Sequence, residues 1–190
     1  MADPHPGWHV LGSKTLCDSP HLMVYEEQVA TPTRPGGVKW IVARRRVAAV
    51  VAPRTPEGKY ILVRQERIAV KRDLWEFPAG QVDAEVSETA IREAAERELG
   101  EEAGVQVTGE LIPLGYYYSS PGFTDECGHF FLATGVVPRE DGVQHDEHEA
   151  ILEIRAFSAH ELSEMIASNQ IVDANTLSLY ARMCARGLLT

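Results

Sequence analysis

The stretch Pro78 to Val105, PAGQVDAEVSETAIREAAERELGEEAGV, carries the pattern on which the fold turns. From Val86 to Ala103 the apolar positions Ile91, Ala94, Ala95, Leu99 and Ala103 follow helical spacing. Ser87 is placed to cap the start of this helix, and Gly104 to stop it. At 100° per residue, Glu98, Glu101 and Glu102 fall within about 100° of arc on one helix face. Like charges four residues apart on a helix repel by a few tenths of a kcal/mol. Three together gain from a counter-cation, and hard oxygen ligands on a rigid element suit Mg²⁺, which also bridges phosphate oxygens. Arg97 stands four residues before Glu101 and can hold it in orientation. An acidic helix face is more often merely solvated. Here a strand, the sequence PAG, a turn, the helix and its terminal glycine follow in order, and that setting favours chemistry.

Outward from this helix, strands dominate. His21 to Thr31 and Val38 to Ala52 read as two strands joined by the turn-rich TPTRPGG, and Lys59 to Val70 as another, entered through PEG. Leu74 to Ala79 is a short strand ending at Gly80. After the helix, strands are expected near 107–118, 128–137 and 151–157, with the polar segment PREDGVQHDEHEA as a loop. Ser158 caps a helix to about Ser168, and Asp173 begins a last one to about Arg186. Strands in the middle, interrupted and closed by helices, make an α+β fold, an α/β/α sandwich around a mixed sheet, with an N-terminal antiparallel strand region. The expected division is a strand region over 1–46 and a main domain over 47–190.

The bulk properties narrow the function. A chain of 190 residues suffices for one domain with a sizeable core. Hydrophobic residues at 44% and charged residues at 24% exclude a disordered or fibrous class. Three scattered cysteines, Cys17, Cys127 and Cys184, form no disulfide framework, which fits a cytoplasmic location. The opening MADPHPGWH carries no signal-peptide pattern, and the longest apolar run, Val47 to Ala52, is far too short for a bilayer. A net charge of −10 argues against nucleic-acid polymers and anionic membranes as partners. An anionic diphosphate substrate then needs metal ions and a few placed arginines to reverse the local field.

The 78–105 stretch resembles a Nudix box, G-x5-E-x7-R-E-U-x-E-E-x-G-U with U a bulky aliphatic. Gly80 fits the first glycine. Arg97, Glu98, Leu99, Glu101, Glu102, Gly104 and Val105 fit the second half without a gap. The first half departs from the pattern. Gly80 and Arg97 are seventeen positions apart instead of fourteen, and Glu88 lies one residue too far from Arg97 for the first box glutamate. The resemblance implies that the main-chain carbonyl of Ala79 and the carboxylates of Glu98 and Glu102 bind Mg²⁺ (Mn²⁺ as a substitute), with Glu101 near a further ion. The insertion leaves Glu88 without an assigned role.

Three further segments are similar to the ADP-ribose pyrophosphatase branch. RQERIAV followed by LWEFPAG implies Arg67 as a substrate-binding arginine and Glu76 as a substrate-contacting glutamate. YYYSSPGFTDE carries Pro121 sixteen residues past Val105, a spacing associated with ADP-ribose activity. QIVDANTLSLYAR resembles the closing helix with its DAxT start. GVKWIVARR resembles the segment that, in a swapped homodimer, reaches the partner's site, with Trp40 stacking on the base and Arg45 touching the substrate. Taken alone, Arg67 is equally an ordinary strand arginine, Pro121 a turn proline and Trp40 a core or interface residue.

The resemblance implies hydrolysis of the diphosphate bond of a small nucleoside diphosphate compound, with ADP-ribose giving AMP and ribose 5-phosphate as the leading reaction. A nucleotide-sugar such as GDP-mannose is the alternative substrate, and a non-catalytic nucleotide sensor on the same fold the alternative class. The general base is expected from the loop HDEHEAILEI. Glu149 comes first because Glu149-Ala-Ile resembles the family's E-x-I, and Glu147 second. His145 and His148, three apart on that polar loop, read as solvated and not as a zinc pair.

Overall fold

The computed structural model describes residues 6–20, 22–83, 85–142 and 150–189. Two compact units emerge, one of residues 1–47 with 118–127, the other of residues 48–117 with 128–190.

The first unit is a three-stranded antiparallel sheet of β1 (His9–Ser19), β2 (Leu22–Thr31) and β3 (Arg34–Arg44), in that order. Gly37, at φ +82°, takes the left-handed conformation that favours glycine, and a Cβ there would press on the side chains of Gln28 and Leu11. Nearly all of β1 is exposed, and Val10, Leu11, Leu16, Trp40 and Ile41 are each about half exposed. The stretch 118–127 joins this unit through Ala43, whose N–H donates to Phe123 O at 2.7 Å.

The second unit holds β4 (Ala48–Arg54), β5 (Tyr60–Arg67), β6 (Arg72–Glu76), β7 (Ala79–Gln81), α1 (Glu88–Ala103), β8 (Val105–Val107), β9 (Leu111–Tyr118), β10 (Cys127–Thr134), β11 (Val136–Pro138), β12 (Ile151–Phe157), α2 (Ala159–Ala167) and α3 (Ala174–Ala185). Its main sheet runs β12-β5-β4-β10-β9, with β6 paired to β5 and β7 to β4; β8 and β11 form a separate pair. The pairing of β4 with β10 is parallel and those of β5 with β12, β4 and β6 are antiparallel, so the sheet is mixed, as expected.

Strand alternation sorts the two faces. Val50 and Ala52 of β4, with Tyr60 and Leu62 of β5, join a core with Phe130, Leu132, Leu162, Leu179 and Met183, beneath α2 and α3. Ala49 and Val51 point the other way yet are fully buried. On that side α1 packs on β4 and β7 and turns in Ile91, Ala94, Ala95 and Leu99. Both faces are therefore covered, which is why 47–52 reads as an unbroken apolar run.

The helix boundaries follow the caps. Ser87 accepts from Ala90 N at 3.1 Å, and Gly104 takes the left-handed conformation, φ 63°, that closes α1. Ser158 forms a reciprocal capping box with Glu161 at α2, and Asp173 accepts from Thr176 N at 2.7 Å at α3. The expected single strand 38–52 is instead two, β3 and β4, separated by 45–47 and belonging to different sheets. Among the described residues no helix is long and apolar enough to cross a membrane.

Candidate active site

β7 is the pivot. Ala79 and Gly80 pair with Val50 and Ala49 of β4, and Val51 N donates to Pro78 O at 2.9 Å. From the helix side, Glu102 Oε2 accepts the Ala79 N–H at 2.9 Å. The Glu98 carboxylate lies on Gly80, in the space where any Cβ would collide with it. Gly80 is thus glycine because a carboxylate takes the place of its side chain. Glu98 and Glu102 are 3% and 1% exposed, which is unusual for glutamates unless a cation or hydrogen bonds hold them.

Arg97 ties the helix to the turn before it. Its guanidinium meets Glu98 at 2.6 Å and Glu101 at 2.5 Å, donates to Gln81 O at 3.0 Å, and approaches Asp83 at 3.6 Å. Burial works against its charge, but Glu98 and Glu101 outweigh it and hold the guanidinium above its ordinary range. Glu98, Glu101 and Glu102 do share one helix region. Their side chains are not gathered into a cation cage, however, and no such group of three acidic, His or Cys side chains occurs among the described residues. Arg97 pairs with both Glu98 and Glu101.

Glu88 is exposed in the first turn of α1, ten residues or about 15 Å along the axis from Glu98. Its charge there favours the positive end of the helix dipole.

Arg67 and Glu76 were each expected to face substrate, and the structure joins them to each other. The pair is bidentate, Nε to Oε1 at 2.7 Å and Nη2 to Oε2 at 2.5 Å. Burial of Glu76, 3% exposed, pushes its carboxyl up despite the pull of Arg67, while Arg67 is held up chiefly by its bond to Glu76. Tyr60 and Leu62 point into the core beneath α2 and α3, so alternation along β5 turns Arg67 to the other face, the one on which α1 packs.

Thr176 was not singled out from the sequence, although the DAxT string contained it. Its Oγ1 accepts the Phe77 N–H at 2.9 Å, so the first turn of α3 pins the link between β6 and β7 that leads into Ala79. The DAxT string was the available signal: Asp173 organises the helix start and Thr176 spends its hydroxyl on the β6–β7 link.

In the first unit, Trp40 is half exposed and donates its indole N–H to Gly122 O at 2.7 Å, next to Pro121. Arg45 pairs with Glu126 at 2.9 Å, and Arg44 with Asp125 at 2.6 Å and Glu27 at 2.7 Å. Trp40, Arg45 and the Pro121 turn therefore belong to one cluster. Glu147 and Glu149, with His145 and His148, lie outside the described residues. A cleft of about 370 Å³ lined by Arg92, Glu96, Leu111 and Arg139 opens on a different face of α1 from Glu98 and Glu102.

The family model for the NUDIX domain matches residues 43–180. The chain is 34% identical over 155 residues to an ADP-ribose pyrophosphatase of Bacillus subtilis, covering 80% of each chain. It is 32% identical over 141 residues to a GDP-mannose pyrophosphatase of Escherichia coli K12, covering 70% of each. Among solved structures it resembles an ADP compounds hydrolase with a TM-score of 0.75 at 19% identity, over 98% of this chain and all of that one, a likeness of fold.

Proposed function

The chain belongs to the Nudix hydrolases, and from that premise we propose that it hydrolyses the diphosphate bond of a nucleoside diphosphate linked to a second sugar, with ADP-ribose yielding AMP and ribose 5-phosphate. The observation that carries the reading is the pair of buried carboxylates, Glu98 and Glu102, seated on the Ala79-Gly80 turn. The 34% identity to an ADP-ribose pyrophosphatase supports the substrate. The GDP-mannose pyrophosphatase relative, at 32%, supports a second reading in which the sugar is a hexose.

Nudix hydrolases generally use a divalent metal, and the donors here fit one. They are hard oxygens, two of them on nearly inaccessible glutamates, against a glycine that leaves no competing side chain. We assign Mg²⁺, or Mn²⁺ in its place, to the Ala79 carbonyl and the carboxylates of Glu98 and Glu102, with Glu101 beside them. When bound there, the cation neutralises the diphosphate and makes the phosphorus more electrophilic. Arg97 holds Glu98 and Glu101 in register with the turn. Arg67 binds a phosphate oxygen, for which it exchanges part of its contact with Glu76. A loop carboxylate, Glu149 before Glu147, takes the proton of the attacking water, and the departing phosphate leaves as a monoester.

The direct test is a panel of ADP-ribose, GDP-mannose, UDP-glucose, NADH and diadenosine polyphosphates with Mg²⁺, read by product identity. ADP-ribose should give the highest kcat/KM, with AMP and ribose 5-phosphate as products. Preference for GDP-mannose would move the assignment to the second reading, and no turnover of any diphosphate would sink both.

The first unit is proposed to form a cytoplasmic homodimer in which Trp40, Arg45 and Pro121 serve the base and substrate. Its support is the row of half-exposed apolar residues on β1 and β3. Deleting residues 1–36 should abolish dimerisation and activity together, as read by light scattering and turnover. Leu16→Asp, on the exposed face of β1, should do the same with less disturbance of the fold. A fully active monomer would remove the dimer and the roles of Trp40 and Arg45.

A further inference from the structure

Between Val63 and Arg67, β5 carries a residue that the proposed reaction has not used. Tyr60 and Leu62 point into the core beneath α2 and α3. Strand alternation therefore sends Val63, Gln65 and Arg67 to the opposite face, the side of α1 and its carboxylates. Gln65 stands opposite Leu74 on β6 and Ile151 on β12. It is 3% exposed, yet its Oε1 is buried and accepts no hydrogen bond among the described residues.

An unpaired buried acceptor is expensive. A position that only had to fill space between Leu74 and Ile151 would be served better by Leu or Met, which carry no such oxygen. The oxygen is explained if a ligand supplies the missing donor. Its place on the strand points to the ligand, since Arg67, which binds a phosphate oxygen in the proposed reaction, is two residues along β5 on the same face, the one on which α1 packs.

We propose that Gln65 is a substrate-binding residue whose Oε1 accepts a hydrogen bond from a sugar hydroxyl flanking the diphosphate. The inference rests on the proposed hydrolysis and names a specificity contact within it. The chemistry selects the donor. Phosphate oxygens are acceptors and cannot pair with a carboxamide oxygen. The neutral donors closest to the phosphorus atoms in such a substrate are sugar hydroxyls, only a few bonds away, whereas the amino group of the base lies beyond a ribose. A site built to pair with a hydroxyl rejects the analogue that lacks it, because the buried oxygen is then stranded. Gln65 would thus favour intact ribose or hexose over deoxy forms.

The test measures binding, which needs no turnover. AMP and ribose 5-phosphate, with their 2-deoxy and 3-deoxy forms, are titrated calorimetrically into the full-length protein with Mg²⁺, using wild type and Gln65→Met. Wild type should lose about tenfold in affinity when one particular hydroxyl is removed, the worth of one such bond. Gln65→Met should bind the complete ligand about tenfold more weakly and no longer notice that hydroxyl, which is the signature of a coupled pair. The ligand that shows the effect identifies the sugar, AMP for the nucleoside ribose and ribose 5-phosphate for the distal one.

Gln65→Met should melt no lower than wild type, because it removes an unpaired polar atom. Gln65→Leu provides a second variant if Met packs poorly. If both variants distinguish hydroxy from deoxy ligands as wild type does, Gln65 is a packing residue and the proposal falls. Wild-type hydrolysis of ADP-ribose is recorded separately, so absent coupling with intact turnover counts against Gln65 alone and leaves the reaction standing.

Discussion

Glu102→Gln is expected to lower kcat for diphosphate hydrolysis by more than about a hundredfold while leaving the fold intact. Loss of a partner that merely supports a metal ligand already costs about 10–100-fold in affinity or activity, and loss of a ligand itself should exceed that. A glutamine keeps an oxygen to accept the Ala79 N–H that Glu102 Oε2 now takes at 2.9 Å. The turn therefore stays in place, and what is lost is the negative charge that a hard dication requires. The Mg²⁺ concentration for half-maximal rate should rise in parallel. The melting temperature should hold or increase slightly, because Glu98 loses a like-charged neighbour one turn away. Glu88→Gln is the matched control. It removes the same charge from an exposed position in the first turn of the same helix, and turnover should be unchanged. Near-normal turnover of Glu102→Gln at ordinary Mg²⁺ would take Glu102 out of the metal site.

The contrast between these two glutamates shows where the sequence is informative. The second half of the box is continuous on one helix, so fixed helical geometry carries the spacing of Arg97, Glu98, Glu101 and Glu102 directly into space. Caps are local as well. Ser87, Gly104, Ser158 and Asp173 mark helix ends that fall where their side chains or backbone preferences put them. The insertion before α1 was visible only as a count. Its physical outcome is a longer turn that leaves Glu88 at the helix start, where it serves the dipole and lies far from Glu98.

What depended on pairing between distant strands was less legible. Arg67 and Glu76 could each be recognised by neighbouring residues. That they bind each other depends on the register of β5 with β6, in which Glu76 stands opposite Val63. The same register buries Gln65, which in sequence is only the second letter of RQER. β1 escaped the reading altogether, because HVLGSKTLCDS is exposed on both sides in one chain and has no reason to alternate apolar and polar residues. The run from Val38 to Ala52 looked continuous because β3 and β4 are both apolar. The charged Arg44-Arg45-Arg46 between their apolar stretches marked the exit from one sheet and the entry to another. Thr176 shows the same limit from the other side. Its importance lies in a hydrogen bond to Phe77, 99 residues away, which no local pattern encodes.

Glu149→Gln should lower kcat by about 10²–10⁴-fold, the usual contribution of a general base. Glu149 lies outside the described residues, so the assignment rests on the likeness of Glu149-Ala-Ile to the family's E-x-I and on the acidic character of HDEHEAILEI. The kinetic signature separates this role from that of Glu102. A base acts on the water and not on the diphosphate, so KM should hardly move while kcat falls. The Mg²⁺ dependence should also stay as in wild type, whereas in Glu102→Gln it shifts. The pH–rate profile gives a third readout. A carboxylate base must be ionised to take a proton, so wild type should lose rate as pH falls through its pKa. An amide has nothing to titrate there, and the variant should lose that acidic limb. Glu147→Gln should be mild by comparison, since only one carboxylate need reach the water. The reverse pattern would transfer the role to Glu147. If neither substitution exceeds tenfold, the proton is taken elsewhere. Glu101, already held by Arg97 at 2.5 Å, then becomes the first residue to test, followed by Asp125 and Glu126.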